Sequence, residues 1–359
     1  MKFQMILLTI LIIVVAILLA INVYIWINPV FGSKSKGDNL KRIENSENFK
    51  DGIFQNAEPT VMMVKNGSMF KTFRKFFNGV ENGRPALPIE TLVFDKNKFI
   101  ASDSGIVYTW FGHSTILINI NGKIILIDPV FSKAASPVSF FNKTFDYSNT
   151  YSVNDMPDPD IVIITHDHYD HLDYETIKLL KTRAKKFLVP LGVEAHLLRW
   201  GISSKKIEVA DWGDSFLECT MQITSVPARH FSGRGPRDRN KTLWCSWIIQ
   251  TAKHKIFLNG DSGYGKHFKE IGEKYGPFDL TFMECGQYNQ QWPYIHSMPE
   301  QSVHAHIDLK GKHMVPIHWG KYRLSLHSWT EPIERVKKAA SKENVILMNP
   351  KIGEIISLN

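Results

Sequence analysis

The stretch DIVIITHDHYDHLD, residues 160–173, joins a run of apolar residues to a turn rich in histidine and aspartate. The apolar residues 161–164 predict a buried strand that ends directly before the turn. Side chains two apart in an extended segment share one side, so His166 and His168 can hold one ion together. His171 points another way, toward a second ion. Metal binding explains why such costly polar groups follow a buried strand.

The composition of the turn predicts an open metal site. Structural zinc sites are usually closed by four ligands and rich in cysteine, whereas this cluster has no cysteine and includes Asp170. Imidazole nitrogen and carboxylate oxygen suit Zn²⁺, with Mn²⁺ and Fe²⁺ as alternatives. A solvated, inert turn would suit a lone H-x-H pattern better than H-x-H-x-D-H.

Three further ligand candidates follow later predicted strands. They are His230 in VPARHFSGRG, Asp261 in LNGDSGYG and His318 in VPIHWG. Small and turn-forming neighbours let the backbone approach an ion closely at each position. Any one of them alone could be a polar residue satisfied within the fold, but as a set they predict a shared metal site.

Strands alternate with helices from residue 106 onward. Helices are predicted at about 264–275, 299–309 and 331–341, which implies sheets covered by helices. The loops at strand ends carry the histidines and aspartates, where folds of this class place their chemistry. The large apolar side chains expected to pack the sheets include Trp110, Trp244 and Trp247.

Residues 4–28 predict a transmembrane anchor. No charged residue occurs between Lys2 and Lys34, and the run exceeds the roughly 20 apolar residues that a bilayer core requires. Tyr24 and Trp26 lie near its C-terminal end, where aromatic rings favour the membrane interface. A cleaved signal peptide is the alternative, but its apolar core is usually about 7–15 residues long and a small-residue cleavage site follows.

The charges around the anchor predict a single-pass protein of the cell membrane whose body lies on the cytoplasmic side. The residues that carry this bias are Lys34, Lys36, Lys41 and Arg42, against Asp38. Residues 29–60 are polar and predict a linker. Residues 61–359 are predicted to form the folded domain that carries the metal site.

The net charge of +8 suits an anionic surface, but the basic residues are scattered and form no dense block. A nucleic-acid partner is therefore not predicted. The three cysteines are widely spaced and form no CxxC motif, so no disulfide framework is expected. The oligomeric state stays open.

The ordered series of motifs resembles the metallo-β-lactamase superfamily. Within that superfamily it is most similar to the branch of N-acylphosphatidylethanolamine-hydrolysing phospholipase D. The stretches that carry the resemblance are TWFGHSTILI, DPVFSKAASP, THDHYDHLD, LGVEAHL, ARHFSGRG, TLWCSW and IHWGKYRL. The resemblance implies a four-layer αββα sandwich with a two-metal site between its sheets.

The resemblance also implies the division of ligands between two Zn²⁺ ions. One ion would take His166, His168 and His230. The second would take Asp170, His171 and His318. Asp261 would bridge both ions, with a hydroxide between them.

The implied reaction is hydrolysis of a membrane phospholipid at a phosphodiester bond by metal-bound hydroxide, which Asp170 and Asp261 would orient. His296 would donate a hydrogen bond to the phosphate or protonate the leaving group. Tyr169, inside the first motif, could contact the substrate. His113 and Asp128 are expected to support or pack around the ligands rather than bind metal.

The chain departs from the phospholipase pattern in two places. MECGQYNQQW, residues 283–292, stands where those enzymes usually show a Pro-Ile-Gly-Ala-Tyr type stretch. Ile295 precedes His296, where the mammalian pattern has a polar amide. The acyl chain and head group therefore stay open. The alternatives are a lactonase or β-lactamase of the same fold, and a metal-binding membrane protein without turnover.

Overall fold

A computed structural model of the chain describes residues 2–64, 74–76, 78–101, 105–218 and 220–358, so Cys219 lies outside the described residues. The helices are α1 Lys2–Ile27, α2 Gly37–Glu44, α3 Lys96–Ala101, α4 Tyr174–Leu180, α5 Glu194–Arg199, α6 His267–Lys274, α7 Pro299–Asp308 and α8 Glu331–Lys342. The strands are β1 Phe49–Lys50, β2 Ile53–Phe54, β3 Ile106–Trp110, β4 Ile116–Ile120, β5 Lys123–Ile127, β6 Ile161–Ile163, β7 Lys186–Pro190, β8 Ile207–Ala210, β9 Ser215–Glu218, β10 Met221–Val226, β11 Ser246–Gln250, β12 Lys255–Leu258, β13 Phe278–Glu284, β14 Gly311–Ile317, β15 Ile346–Leu347 and β16 Ile355–Leu358.

Two seven-stranded sheets face each other across one apolar core. The first sheet has the order β16-β3-β4-β5-β6-β7-β8, and the second has the order β15-β14-β13-β12-β11-β10-β9. Their inner faces meet where the ring of Tyr108 lies edge-on to that of Phe282, with ring centroids 5.2 Å apart. Trp110 and Trp247 are buried in this core, as expected. Trp244 instead packs in a smaller cluster beside Phe54.

Helices cover the outer face of each sheet. Helices α4 and α5 pack on the first sheet through residues such as Ile177 and Leu197. Helices α6, α7 and α8 pack on the second sheet through residues such as Phe268, Val303 and Val336. The αββα sandwich is therefore confirmed, and α6 to α8 occupy the three regions predicted as helical.

Strand β6 explains the continuous apolar run that opens the first motif. It lies between β5 and β7 and pairs with both in parallel. Its three residues are all buried, because one face meets the opposite sheet and the other meets helices. A strand buried on both faces needs no alternation of polar and apolar residues.

The structure corrects the prediction that residues 29–60 form a linker. Helix α2 and the β1–β2 hairpin form within this stretch and pack on the body. Ile43 and Phe54 are buried in the cluster that contains Leu243 and Trp244. The stretch is polar on average because its few apolar residues are spaced apart, and those residues are the ones that pack.

Helix α1 has 26 residues, and none of its side chains is buried. It is long and apolar enough to cross a membrane. Its C-terminal end is held against the body, where Arg199 Nη2 donates to the Trp26 carbonyl at 2.9 Å. Trp200 Nε1 also donates to the Pro29 carbonyl at 2.7 Å.

Candidate metal centre

The loops that follow β6, β10, β12 and β14 meet at one edge of the sandwich and bring all seven predicted ligands together. In the first group, the ring nitrogens His166 Nε2 and His168 Nδ1 are 2.9 Å apart. His230 Nε2 lies 3.2 Å from the same His168 nitrogen. The Asp261 carboxylate completes this group, with Oδ2 at 3.7 Å from His166 and 3.6 Å from His230.

The second group shares Asp261 through its other oxygen. Asp261 Oδ1 is 3.2 Å from His171 Nε2 and 3.1 Å from His318 Nε2. Asp170 Oδ2 lies 3.5 Å from His318 Nε2 and 3.7 Å from His171 Nε2. One carboxylate therefore faces two histidine sets, which is the arrangement expected of a bridging ligand.

Buried atoms without partners show that these side chains fit metal ions. Among the described residues, His171 Nε2, His318 Nε2 and Asp261 Oδ1 are buried and have no hydrogen-bond partner, although they converge on one point. An unpaired buried polar group costs about 1–3 kcal/mol. A cation at this point would satisfy all three.

The charges of the site favour the same conclusion. Burial lowers the pKa of His166 and His230 well below the usual value, which keeps both imidazoles in the neutral form that binds metal. Burial would also lower the pKa of His318, but Asp261 and Asp170 raise it to about 10. The carboxylates thus hold a positive charge at this point, and a divalent ion would supply that charge in place of a proton.

Buried polar groups form hydrogen bonds with the candidate ligands and hold their orientation. Asp128 Oδ2 is 2.8 Å from His171 Nδ1, and the backbone carbonyl of Ile295 is 2.7 Å from His230 Nδ1. His113 Nε2 lies 2.8 Å from Asp170 Oδ2. Such contacts fix the ring that faces a metal, and they match the supporting role expected for His113 and Asp128.

Three residues of this site have a strained backbone conformation. His113, Asp128 and His318 have φ values of 54°, 41° and 68°, in the left-handed region that side chains other than glycine rarely adopt. Two backbone hydrogen bonds lock the loops together, His113 N to the Trp319 carbonyl and His318 N to the His113 carbonyl. Strain of this kind persists at functional sites because the surrounding packing enforces it.

A cavity of about 300 Å³ opens onto the ligands. Its wall includes His168, Asp170 and Asp261 together with the apolar side chains of Phe231 and Trp292. The predicted substrate residues Tyr169 and His296 also line it. The Tyr169 hydroxyl already donates to the Arg234 carbonyl at 2.5 Å, and the Arg234 guanidinium carbon lies 4.1 Å from the centroid of the tyrosine ring, so the hydroxyl and one face of the ring are already engaged.

Glu284 belongs to the site but was not predicted from the sequence. It is the last residue of β13 and fully buried, and its Oε2 lies 2.8 Å from His296 Nδ1 and 3.4 Å from His318 Nδ1. Its Oε1 accepts from the backbone N–H groups of Ser262 and Ser297. The signal in the sequence was an acidic residue that ends an otherwise apolar strand.

Because Glu284 occupies Nδ1 of His296, it leaves Nε2 of that ring to face the cavity. We expect Glu284→Gln to lower kcat about 10-fold to 100-fold, the range found when a residue behind a ligand is changed. The amide oxygen can keep the backbone contacts, so thermal stability should change little. Steady-state kinetics with metal analysis tests this, with Glu300→Gln on the surface of α7 as the matched control. An unchanged kcat would contradict it.

Comparison with known proteins agrees with this geometry. The family profile described as "Beta-lactamase superfamily domain" matches residues 123–319. An uncharacterised protein of Mycobacterium tuberculosis is 40% identical over 316 residues, which cover 87% of this chain and 84% of the relative. N-acyl-phosphatidylethanolamine-hydrolyzing phospholipase D 1 of Caenorhabditis elegans is 31% identical over 312 residues, which cover 77% of this chain and 87% of the relative.

The solved structure of Igni18, a metallo hydrolase from Ignicoccus hospitalis, shares the fold with a TM-score of 0.55 and 21% identity. It covers 71% of this chain and 98% of its own. Fold and site together define a metallo-hydrolase of the β-lactamase fold, with candidate sites for two metal ions. The chain belongs to the metallo-β-lactamase superfamily, and its relatives include the N-acylphosphatidylethanolamine-hydrolysing phospholipases D.

Proposed function

We propose that this protein is a membrane-anchored hydrolase that cleaves a phosphodiester bond of a phospholipid such as N-acylphosphatidylethanolamine. The observation that carries the proposal is the Asp261 carboxylate, whose two oxygens each face one histidine set. The two histidine sets and Asp261 would hold two ions, most simply Zn²⁺, which would supply a water activated near neutral pH and positive charge for the displacement. Mn²⁺ and Fe²⁺ are the alternatives.

The side chains of the cavity divide the remaining work. His296 lines the cavity with Nδ1 held by Glu284, so its Nε2 is placed to donate to a phosphate oxygen or to the leaving alcohol. Asp170 and Asp261 would orient the attacking water. Phe231 and Trp292 offer an apolar wall that suits the acyl part of an amphiphile.

The position of helix α1 supports a lipid substrate. The Tyr24 hydroxyl, near the end of that helix, donates to the Pro137 carbonyl at 3.3 Å, and Ala135 in the same loop lines the cavity. Arg234 connects the two regions, since its guanidinium donates to the carbonyl of Val30 and to those of Asp167 and Leu172. An anchored enzyme would thus work on lipids of its own bilayer, with no nucleic-acid partner.

The Caenorhabditis elegans relative is an N-acyl-phosphatidylethanolamine-hydrolyzing phospholipase D by name, which supports the same substrate class. The body is proposed to lie on the cytoplasmic side of the cell membrane, as the charges that follow α1 suggest. Ile295 in place of a polar amide favours one alternative, a lactonase, because a carbonyl substrate needs no second phosphate donor.

A substrate panel tests the proposal on the metal-loaded, full-length protein in detergent. N-acylphosphatidylethanolamine, phosphatidylcholine, an acyl lactone and nitrocefin are each incubated with Zn²⁺, Mn²⁺ or Fe²⁺, and products are identified by mass spectrometry. We expect a phosphatidic acid from N-acylphosphatidylethanolamine, and loss of all turnover with a chelator. Turnover of the lactone alone would establish the alternative. Bound metal without turnover of any substrate would instead indicate a binding protein.

A further inference from the structure

A second cleft lies between the C-terminal end of α1 and the body. It shares no lining residue with the cavity at the metal site. It measures about 790 Å³. One wall comes from the end of α1 and the segment after it, and the other from α5 and residues 235–238. The cleft therefore sits where a helix that spans a membrane would enter the aqueous phase.

The polar side of the cleft is strongly basic. Lys34, Lys36, Arg199 and Arg237 line it, against the single carboxylate of Asp238. Asp238 is already engaged, since it accepts from the backbone N–H groups of Gly235 at 2.8 Å and Arg234 at 3.2 Å. Arg199 donates to the backbone carbonyls of Trp26 and Gly32, which carry no formal charge to neutralise it. Within the described part of the chain, no ion pair involves Lys34, Lys36 or Arg237.

The other side of the cleft is apolar. Ile25, Trp26 and Phe31 line it, and Trp26 is 79% exposed. An exposed tryptophan at the end of a spanning helix belongs at the level of lipid head groups. The cleft thus combines a basic wall with an apolar wall at the depth where a phospholipid carries its phosphate and the start of its acyl chains.

We propose that this cleft binds one anionic phospholipid from the surrounding leaflet, with its phosphate against Lys34, Lys36 and Arg237 and its upper acyl chain against Trp26. The proposal rests on the membrane anchoring given under the proposed function, but on no residue of the metal site. The apolar wall distinguishes a lipid from free phosphate, which would leave Ile25, Trp26 and Phe31 without a partner. The unpaired positive charge distinguishes an anionic lipid from a zwitterionic one.

A lipid in the cleft would also lie next to residues that hold the first metal-binding loop in place. Residues 235–238 follow Arg234, whose guanidinium donates to two backbone carbonyls of the first metal-binding loop, at 2.6 Å for Asp167 and 2.7 Å for Leu172. A lipid held at this point would therefore contact the same segment that braces the predicted ligands.

Native mass spectrometry of the full-length protein in detergent tests the proposal, with dioctanoyl phosphatidylglycerol, dioctanoyl phosphatidylcholine and inorganic phosphate as probes. The variant Lys34→Gln/Lys36→Gln/Arg237→Gln is compared with Lys253→Gln/Lys269→Gln/Lys338→Gln, three exposed lysines outside the cleft. Each basic residue near an anionic lipid contributes about fivefold in affinity, so the first variant should bind phosphatidylglycerol about 100-fold more weakly. The control variant should bind as the unchanged protein does.

Three results would overturn the proposal: equal binding of phosphatidylglycerol by the cleft variant, equal binding of phosphatidylcholine, or binding of inorganic phosphate as tight as that of the lipid. Thermal melting of each variant checks that it is folded. Turnover of the water-soluble diester bis(p-nitrophenyl) phosphate, measured on the same samples, should be unchanged in the cleft variant. Absence of that turnover in the unchanged protein would count against the proposed function alone, because the lipid-binding result does not depend on it.

Discussion

Replacement of Asp261 by alanine is expected to abolish metal binding and hydrolysis together. Its two oxygens face both histidine sets at 3.1 to 3.7 Å, so its removal deprives each group of a ligand at once. Metal ions in such sites contribute several kcal/mol of transition-state stabilisation, and their loss should lower kcat/KM by about 1,000-fold or more. His168→Ala should also lower metal binding and hydrolysis, because it removes the ring nitrogen that lies near both His166 Nε2 and His230 Nε2 in the first group.

Elemental analysis of the purified variants measures this directly, with about two metal ions expected per unchanged chain and almost none in Asp261→Ala. A second readout is thermal: Zn²⁺ should raise the melting temperature of the unchanged protein, since binding to the folded state alone stabilises it, and should leave that of the variant nearly constant. Asp308→Ala is the matched control, because Asp308 accepts a hydrogen bond from Tyr264 away from the site. Full metal occupancy in Asp261→Ala would refute the ligand assignment.

The seven candidate ligands could be predicted from the sequence because they carry local signals. His166 and His168 share a side of one extended segment, and His230, Asp261 and His318 each follow a strand with small neighbours. The assignment of His230, Asp261 and His318 to a first or second ion came from the family resemblance, since strand ends far apart in sequence do not reveal which of them become neighbours.

Other parts of the structure depend on contacts between residues far apart in the chain, which a local sequence pattern does not reveal. Glu284 looks like the end of an apolar strand, and only the packing of β13 against the loop at His296 gives it a role. The cleft at α1 depends on contacts such as the hydrogen bond between Arg199 and Gly32, which are 167 positions apart in the chain. The packing of residues 29–60 was missed for the same reason, because average polarity conceals a few well-placed apolar side chains such as Ile43 and Phe54.

Replacement of His296 by alanine is expected to leave the metal in place and to slow turnover. His296 lines the cavity, and its ring centroid lies 5.2 Å from that of His318, yet it is not among the seven predicted ligands. Proton transfer by a positioned side chain contributes about 10²-fold to 10⁴-fold, so kcat should fall by about that much for a substrate whose leaving group is an unactivated alcohol. Elemental analysis should find the metal content of the unchanged protein.

The leaving group separates the two roles that His296 could have. If it protonates the departing alcohol, the loss should nearly vanish with p-nitrophenyl esters, because p-nitrophenolate leaves without a proton. If it only donates a hydrogen bond to the phosphate, His296→Ala should slow both substrates, and His296→Gln should restore much of the rate. His304→Ala, at an exposed position of α7, controls for the loss of an imidazole elsewhere on the surface. Unchanged kinetics of His296→Ala with both substrates would exclude this residue from the reaction, and the Glu284 carboxylate would then serve to orient His318 alone.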